Sequence, residues 1–167
     1  SSSSETTASR ISTWGARAIA GNARRLGLRS ISPLVLDARA AGAAFVPGTF
    51  DRILVDAPCS GFGTLRAHPE IRWRRTPADL TRLAAQQRAI LEAVTPLLRP
   101  DGVVVYATCT LTREENEDVA DDWLAAHPEL ARENAADHLP ESAHALVDEH
   151  GALATLPGSF STFGIGF

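Results

Sequence analysis

The chain has 167 residues, which is the length of one domain with a single hydrophobic core. No apolar run approaches the roughly 20 residues that span a bilayer, so we expect a cytoplasmic protein that contacts no membrane. The net charge of −4 argues against a generally basic nucleic-acid binder, although arginines crowd residues 66–88 and acidic residues dominate residues 114–149.

Methionine and lysine are both absent from the sequence. The missing methionine leads us to expect that the chain is part of a longer protein. All 16 basic residues are arginine, which indicates either bidentate phosphate recognition or a coding bias.

The first quarter of the chain is predicted to contain one helix and no more than a short strand. The polar run SSSSETTAS predicts disorder over residues 1–13. Apolar residues at helical spacing predict a helix from Trp14 to Leu26, which Gly27 ends.

Three apolar runs predict buried strands. They are PLVLD at residues 33–37, ILVDA at residues 53–57 and VVVYA at residues 103–107. The third run shows no alternation of polar and apolar residues, which is typical of an interior parallel strand covered on both faces.

Two helix starts and a closing hairpin complete the predicted elements. Thr76 with Pro77 and Asp79 is a strong helix start. The apolar stripe after it predicts a helix whose last turn is disturbed at Pro96 and which ends at Pro100-Asp101-Gly102. A capping box predicts a second helix from Thr112 to about residue 126, and residues 152–167 are expected to form a hairpin.

This order of helices and strands predicts an open α/β sheet whose strands are mainly parallel. In such sheets, ligands bind beyond the carboxyl ends of the strands. Four side chains of chemical interest follow those ends: Asp37, Asp56, Cys59 and Cys109. The pattern therefore predicts a site at one edge of the sheet.

The two cysteines, Cys59 and Cys109, each lie in a polar turn just after a strand. A free cysteine is most often a small buried hydrophobe. A disulfide between the two turns is a second possibility and would indicate redox chemistry in the cytosol. A nucleophile is the third, since a thiolate adds readily to an electrophilic ring carbon when an acid such as Asp56 hydrogen-bonds a nearby ring nitrogen.

The stretches DAPCSGFGTLRAHPEIRW and VVVYATCTLTREENE resemble the paired motifs of the RNA cytosine-5 methyltransferases, the Fmu/Sun family. The resemblance covers roughly residues 22–125. It implies a Rossmann-like α/β fold that binds S-adenosylmethionine, with residues 14–167 forming a partial catalytic domain that lacks its first strands. The implied reaction is methylation of cytosine C5 in RNA, with ribosomal RNA favoured over transfer RNA.

The resemblance also implies a role for each residue of the site. Cys109 would be the nucleophile that adds to cytosine C6, and Cys59 would assist removal of the C5 proton and release of the RNA. Asp56 would contact the base and, with Pro58, border the cofactor. Asp37 matches the acid that meets the adenine of the cofactor, although on its own it could be a simple turn residue. No metal is implied.

Four arginines after the first cysteine are expected to face RNA phosphate, where each neutralised phosphate makes the affinity more salt-dependent. They are Arg66, Arg72, Arg74 and Arg75. Charge alone fits an ordinary solvated surface as well. The target base must also be unstacked before it reaches the cysteines.

The chain departs from the family pattern in its cofactor half. The glycine-rich turn that follows the first strand, with its lysine, is absent from the sequence, and Glu5 is only a weak match to the acid of the second strand. We therefore expect a partner chain or an N-terminal segment to complete the sheet, because exposed strand edges favour pairing.

Two other functions stay open at this point. One is a non-catalytic remnant that binds RNA or a partner through the arginines of residues 66–88. The other is a DNA cytosine methyltransferase, in which the cysteine of the PC box, here Cys59, is the nucleophile.

Overall fold

Two parallel strands form the sheet in the computed structural model, which describes residues 15–155. Strand β1 covers Phe50–Asp56 and strand β2 covers Leu98–Ala107. The two strands pair as far as Asp56 with Ala107, so both end at the same edge of the sheet. The predicted α/β class and parallel pairing are confirmed.

Helices and short 3-10 turns surround these strands. The α-helices of the described residues are α1 (residues 15–25), α2 (Ile71–Arg74), α3 (Pro77–Val94) and α4 (Glu117–Ala126). The 3-10 helices cover Ala38–Ala43, Phe62–Thr64, Thr95–Leu97, Arg113–Glu115, Ala135–His138 and Glu141–Leu146.

Helix α3 begins at the predicted cap but ends at Val94, before the predicted end at Pro100-Asp101-Gly102, and strand β2 has already begun at Leu98. The Thr76 hydroxyl accepts a hydrogen bond from the N–H of Asp79, and the Asp79 carboxylate accepts one from the N–H of Thr76 at 3.0 Å. This reciprocal capping satisfies backbone donors that a helix start otherwise leaves unpaired. After Val94 the chain tightens into a 3-10 turn at Pro96, because proline cannot donate to an α-helical hydrogen bond.

The hydrophobic core lies on one side of the sheet. Helices α3 and α4 pack there, and Leu91 and Val119 are completely buried beside Val55. On the other side, 69% of Leu54 and 50% of Val105 remain exposed. The prediction that residues 103–107 are covered on both faces is therefore wrong for the described part of the chain, since both packing helices lie on the same face.

Residues 33–37 do not form the predicted strand. The segment has no regular secondary structure, and Leu34, Val35 and Leu36 are exposed. A strand exists only where a neighbour supplies backbone hydrogen bonds, and within residues 15–155 β1 and β2 pair with each other alone. A run of apolar residues is compatible with a strand, but it does not specify the second strand with which the segment would pair.

The start of the last helix also differs from the prediction. Residues Arg113–Glu115 form a 3-10 turn, and α4 begins only at Glu117, after Asn116 takes a non-helical conformation. Thr112 does bond to Glu115, but through the two side chains, with their oxygens 3.1 Å apart. The predicted capping box is therefore wrong, because the Glu115 side chain turns into the interior.

Two other predictions lie wholly or partly outside the described residues. Residues 1–13 are outside them, and of the expected hairpin only the first few residues are inside, where Val147 and Leu153 form an isolated antiparallel bridge. Within residues 15–155, no helix has the length and apolar character needed to cross a membrane.

We expect Leu91→Ala to lower the free energy of unfolding by about 2–5 kcal/mol, because it opens a cavity in the centre of the core. Chemical denaturation followed by circular dichroism measures this loss. Leu26→Ala removes the same atoms from a residue that is 58% exposed, and we expect a change within about 0.5 kcal/mol. Equal losses in the two variants would contradict the placement of the core.

Candidate active site

The two cysteine turns meet at the shared edge of β1 and β2. Cys59 follows β1 by three residues and Cys109 follows β2 by two, so the parallel pairing brings the turns together. The two Sγ atoms are 3.0 Å apart, and the backbone N–H of Cys109 donates to the Sγ of Cys59 at 3.2 Å. Both thiols are free; Cys59 is half-buried and Cys109 is exposed.

Two glycines allow this close approach. Gly61 takes a φ of 79°, a left-handed conformation that favours glycine. The N–H of Gly63 donates to the carbonyl oxygen of Cys109 at 3.0 Å, and a Cβ at Gly63 would lie 2.7 Å from that oxygen. Any larger residue at position 63 would push the two turns apart.

A buried carboxylate fastens both turns to helix α3. Glu115 is fully buried, and its Oε1 accepts hydrogen bonds from the N–H of Ser60 at 2.9 Å and from the amide of Gln87 at 3.0 Å. Its Oε2 accepts from the hydroxyl of Thr112 at 3.1 Å. The Gln87 amide also donates to the carbonyl of Pro58 at 2.9 Å. We call Ser60, Gln87 and Glu115 the buried polar cluster.

Side chains around Cys109 hold the second turn in place. The hydroxyls of Ser60 and Thr110 are 2.7 Å apart, which links the two turns directly. Asn116 donates to the carbonyl oxygens of Thr110 and Thr112 at 3.1 and 3.0 Å. The exposed Cys109 is therefore presented by a backbone with little freedom to move.

Sequence reasoning missed the buried polar cluster. The available signal was Gln87, a polar residue inside the apolar stripe of α3 between Ala84 and Ile90. A buried glutamine needs partners, and its presence in that stripe indicates a polar group opposite the helix. No local signal indicated that Glu115 would be that group.

The environment of Cys59 keeps its thiol protonated. Burial raises the pKa of Cys59, and the hydrogen bond with Cys109 acts in the same direction, so that the pKa is about 12. At neutral pH Cys59 is therefore a neutral thiol beside the sulfur of Cys109. Burial also raises the pKa of Tyr106, whose hydroxyl donates to the Glu115 carbonyl at 2.7 Å behind the site.

Asp56 and Pro58 are both exposed, at and just beyond the end of β1. The carboxylate of Asp56 is accessible to a ligand three residues before Cys59. The Gln87 amide donates to the carbonyl of Pro58 and so fixes the chain between Asp56 and Cys59 on the side that faces helix α3. Asp56 and Pro58 stay exposed to solvent.

Asp37 lies in a different setting. It caps the 3-10 helix Ala38–Ala43 by accepting from the N–H of Arg39 at 3.0 Å, and both of its oxygens also bond to the Arg39 guanidinium. Those bonds lower the pKa of Asp37 to about 2. Around Asp37, the described residues provide this helix cap and ion pair.

The four predicted RNA-binding arginines divide into two groups. Arg66, Arg72 and Arg74 are exposed. Arg75 is half-buried, and its Nε donates to the carbonyl of Ser60 at 3.2 Å. Arg75 therefore braces the Cys59 turn, while the other three face solvent.

Comparison with known proteins identifies close relatives of this sequence. A family model described as 16S rRNA methyltransferase RsmB/F matches residues 2–164. The "Probable ribosomal RNA small subunit methyltransferase B" of Bacillus subtilis (strain 168) is 43% identical over 143 residues, which are 85% of this chain and 32% of that protein. The ribosomal RNA small subunit methyltransferase B of Thermus thermophilus is 45% identical over 111 residues, which are 65% of this chain and 28% of that protein.

A solved structure has a similar fold. The crystal structure of NSun6 from Pyrococcus horikoshii with SFG superposes with a TM-score of 0.57 at 34% sequence identity, over 66% of this chain and 27% of that one. The chain spans about a third or less of the length of these relatives.

We expect Glu115→Ala to destabilise the protein by about 3 kcal/mol, because it leaves buried donors of Ser60 and Gln87 without an acceptor. Glu115→Gln keeps an acceptor oxygen and the same shape, so its loss should be about 1 kcal/mol. Denaturation curves measure both, with Glu114→Ala as an exposed control that should have little effect. If Glu115→Ala were as mild as Glu114→Ala, the cluster would not hold the turns together.

We expect iodoacetamide at pH 8 to alkylate Cys109 at least about tenfold faster than Cys59, since only the thiolate reacts and Cys59 is half-buried with a raised pKa. Mass spectrometry of quenched samples gives both rates. Raising the pH from 8 towards 11 should speed the reaction of Cys59 steadily, because its thiolate fraction increases up to a pKa of about 12. In denaturant the two rates should converge, and a reversible disulfide found without reductant would favour redox chemistry instead.

Proposed function

The chain belongs to the RsmB/F family of 16S rRNA methyltransferases, and on that premise we propose that it carries the base-modifying half of an RNA cytosine-5 methyltransferase. The observation that carries the proposal is the 3.0 Å contact between the sulfurs of Cys59 and Cys109 at the carboxyl edge of the sheet. We propose ribosomal RNA as the substrate, in keeping with the names of the relatives, and the cytoplasm as the location. Residues 14–167 would then be a partial catalytic domain.

Cys109 is suited to be the nucleophile because it is exposed and rigidly held. Its thiolate forms a bond to C6 of the cytosine, and the electron pair of the C5–C6 double bond moves to C5. Asp56, exposed at the end of β1, can share a proton with the ring nitrogen N3, which makes C6 more electrophilic. C5 gains a methyl group, loses its proton, and the sulfur–C6 bond then breaks to restore the ring and the Cys109 thiolate.

Cys59 is suited to assist the release step. Because its thiol is protonated, it can donate its proton to the departing sulfur of Cys109, 3.0 Å away. The Cys59 thiolate formed in this way can accept the proton from C5, so Cys59 ends as a thiol again. Cys109 leaves the ring as a thiol and loses its added proton to water, which restores its thiolate for the next turnover.

S-adenosylmethionine would supply the methyl group when bound, and the archaeal neighbour solved with SFG, an analogue of that cofactor, supports this choice. In this chain, Asp56 and Pro58 are the described residues that could border it. Asp37 is exposed and bonded to Arg39, and its contact with the adenine of the cofactor stays a prediction. We therefore derive no step from the adenosyl end of the site.

A second candidate function follows from the same observation about Asp37. If the chain holds no cofactor, it acts as an RNA-binding piece of such an enzyme through Arg66, Arg72 and Arg74. This candidate predicts binding of RNA without binding of S-adenosylmethionine, and no effect of Cys109→Ala.

We expect the chain, given S-adenosylmethionine and an RNA that contains 5-fluorocytosine, to form a covalent complex visible on a denaturing gel. Cys109→Ala should abolish the complex because it removes the bonding sulfur, whereas Cys59→Ala should retain it, since release and not addition is impaired. The fluorine at C5 blocks proton removal and so traps the adduct.

The reverse pattern, with loss in Cys59→Ala alone, would indicate the mechanism of the DNA cytosine methyltransferases. Titration calorimetry with S-adenosylmethionine on the same preparation, wild type and Asp37→Ala, separates the remaining outcomes. A folded chain that gives neither a complex nor cofactor binding, yet binds RNA, would support the second candidate.

A further inference from the structure

One exposed aromatic side chain near the cysteines has no role in the site described so far. Trp73 is 85% exposed, the highest value among the exposed large hydrophobic residues of the described chain. An indole buries a large apolar area when it finds a partner, so full exposure leaves a surface ready for a flat ligand. We propose that Trp73 is a stacking platform for an unpaired RNA base that flanks the target cytosine. This inference rests on the proposed function.

Helix α2 positions Trp73 relative to the Cys59 turn. Ile71 points at that turn, with its Cδ1 3.1 Å from where a Cβ on Gly61 would lie, and Arg75 donates to the carbonyl of Ser60. Residues 71 and 75 share one face of a helical turn, while a residue two positions away points to the opposite side. The Trp73 indole is therefore aimed outward, with α2 between it and the turn.

This arrangement puts helix α2 between the indole and the Cys59 turn. A helix with its side chains is about 10–12 Å across, so the indole lies about one helix diameter from the Cys59 turn. A base held against Cys109 and a base stacked on Trp73 would thus belong to neighbouring nucleotides of one strand. Stacking on Trp73 would hold the RNA strand in place while its target cytosine lies against Cys109.

The surroundings of Trp73 favour nucleic acid as the occupant. Arg72 and Arg74 flank it, both exposed, and Arg66 belongs to the same loop. The only carboxylate among residues 65–75 is Glu70, which lies 3.4 Å from the ring of His68. Positive groups that follow a phosphate backbone, interleaved with an aromatic ring, are the usual composition of a single-strand binding surface.

A shallow cavity beside the indole gives the base a place to lie. It has a volume of about 220 Å³ and is lined by Leu65, Pro69, Arg72 and Trp73. Its lining combines the apolar Leu65 and Pro69 with the Trp73 indole and the Arg72 guanidinium. We expect stacking on the indole to tolerate any base, since each base has an aromatic face.

Tryptophan fluorescence tests this proposal directly. The 167-residue chain with Trp14→Phe retains two indoles, Trp73 and Trp123, and Trp123 is only 8% exposed. A short unstructured RNA should quench the Trp73 emission as a base stacks on it. An abasic oligonucleotide of the same length should bind through its phosphates without comparable quenching.

Matched substitutions assign the effect to stacking. Trp73→Leu keeps an apolar side chain without an aromatic face, and we expect about tenfold weaker RNA binding with unchanged binding of the abasic oligonucleotide. Trp73→Phe should recover most of the affinity. Arg72→Gln should weaken the binding of both oligonucleotides. It should also lower the slope of log affinity against log salt concentration by about 0.7, the value for one single-strand phosphate contact.

The outcomes separate this inference from the proposed function. If RNA binds and Trp73→Leu leaves the affinity unchanged, the platform is disproved and the proposed function stands. Equal quenching by the abasic oligonucleotide would also overturn the inference. If neither oligonucleotide binds a folded chain, both proposals fail.

Discussion

The candidate site depends on one buried carboxylate. Glu115 accepts hydrogen bonds from the backbone of Ser60 and from Gln87, so it joins the Cys59 turn, helix α3 and the loop after Cys109. Burying a carboxylate costs free energy unless hydrogen bonds to its oxygens offset that cost, so the position of each of these donors matters. The hydrogen bonds of Glu115 and the absence of a side chain at Gly63 together allow the two sulfurs to approach to 3.0 Å.

Within residues 15–155, the two faces of the sheet are covered differently. Helices α3 and α4 bury one face of the sheet. Gln87 of α3 and Glu115, which precedes α4, bond to the Cys59 turn from that side. The opposite face leaves Leu54 and Val105 exposed, and residues 33–37 have no strand partner within the described chain. Asp37 bonds to Arg39 in the absence of a neighbouring strand, which gives its carboxylate a local role as a helix cap.

The segment between Cys59 and α3 combines support and recognition. Ile71 and Arg75 face inward and brace the Cys59 turn, while Arg72, Trp73 and Arg74 face solvent. One helical turn can do both because its residues point in opposite directions. The surface proposed to bind RNA is thus built on the same short element that shapes the turn of the cysteine.

The sequence by itself determined the local elements and the identity of the site. Caps and apolar spacing defined α3, the two cysteine motifs identified the family, and the ends of β1 and β2 gathered Cys59 and Cys109. Only the tertiary structure decided which apolar run became a strand and where Glu115 lay. Both depend on partners distant in sequence: a strand needs a neighbour, and Glu115 bonds to residues 28 and 55 positions away. The spacing of neighbouring residues in the sequence does not indicate which distant residues will become partners.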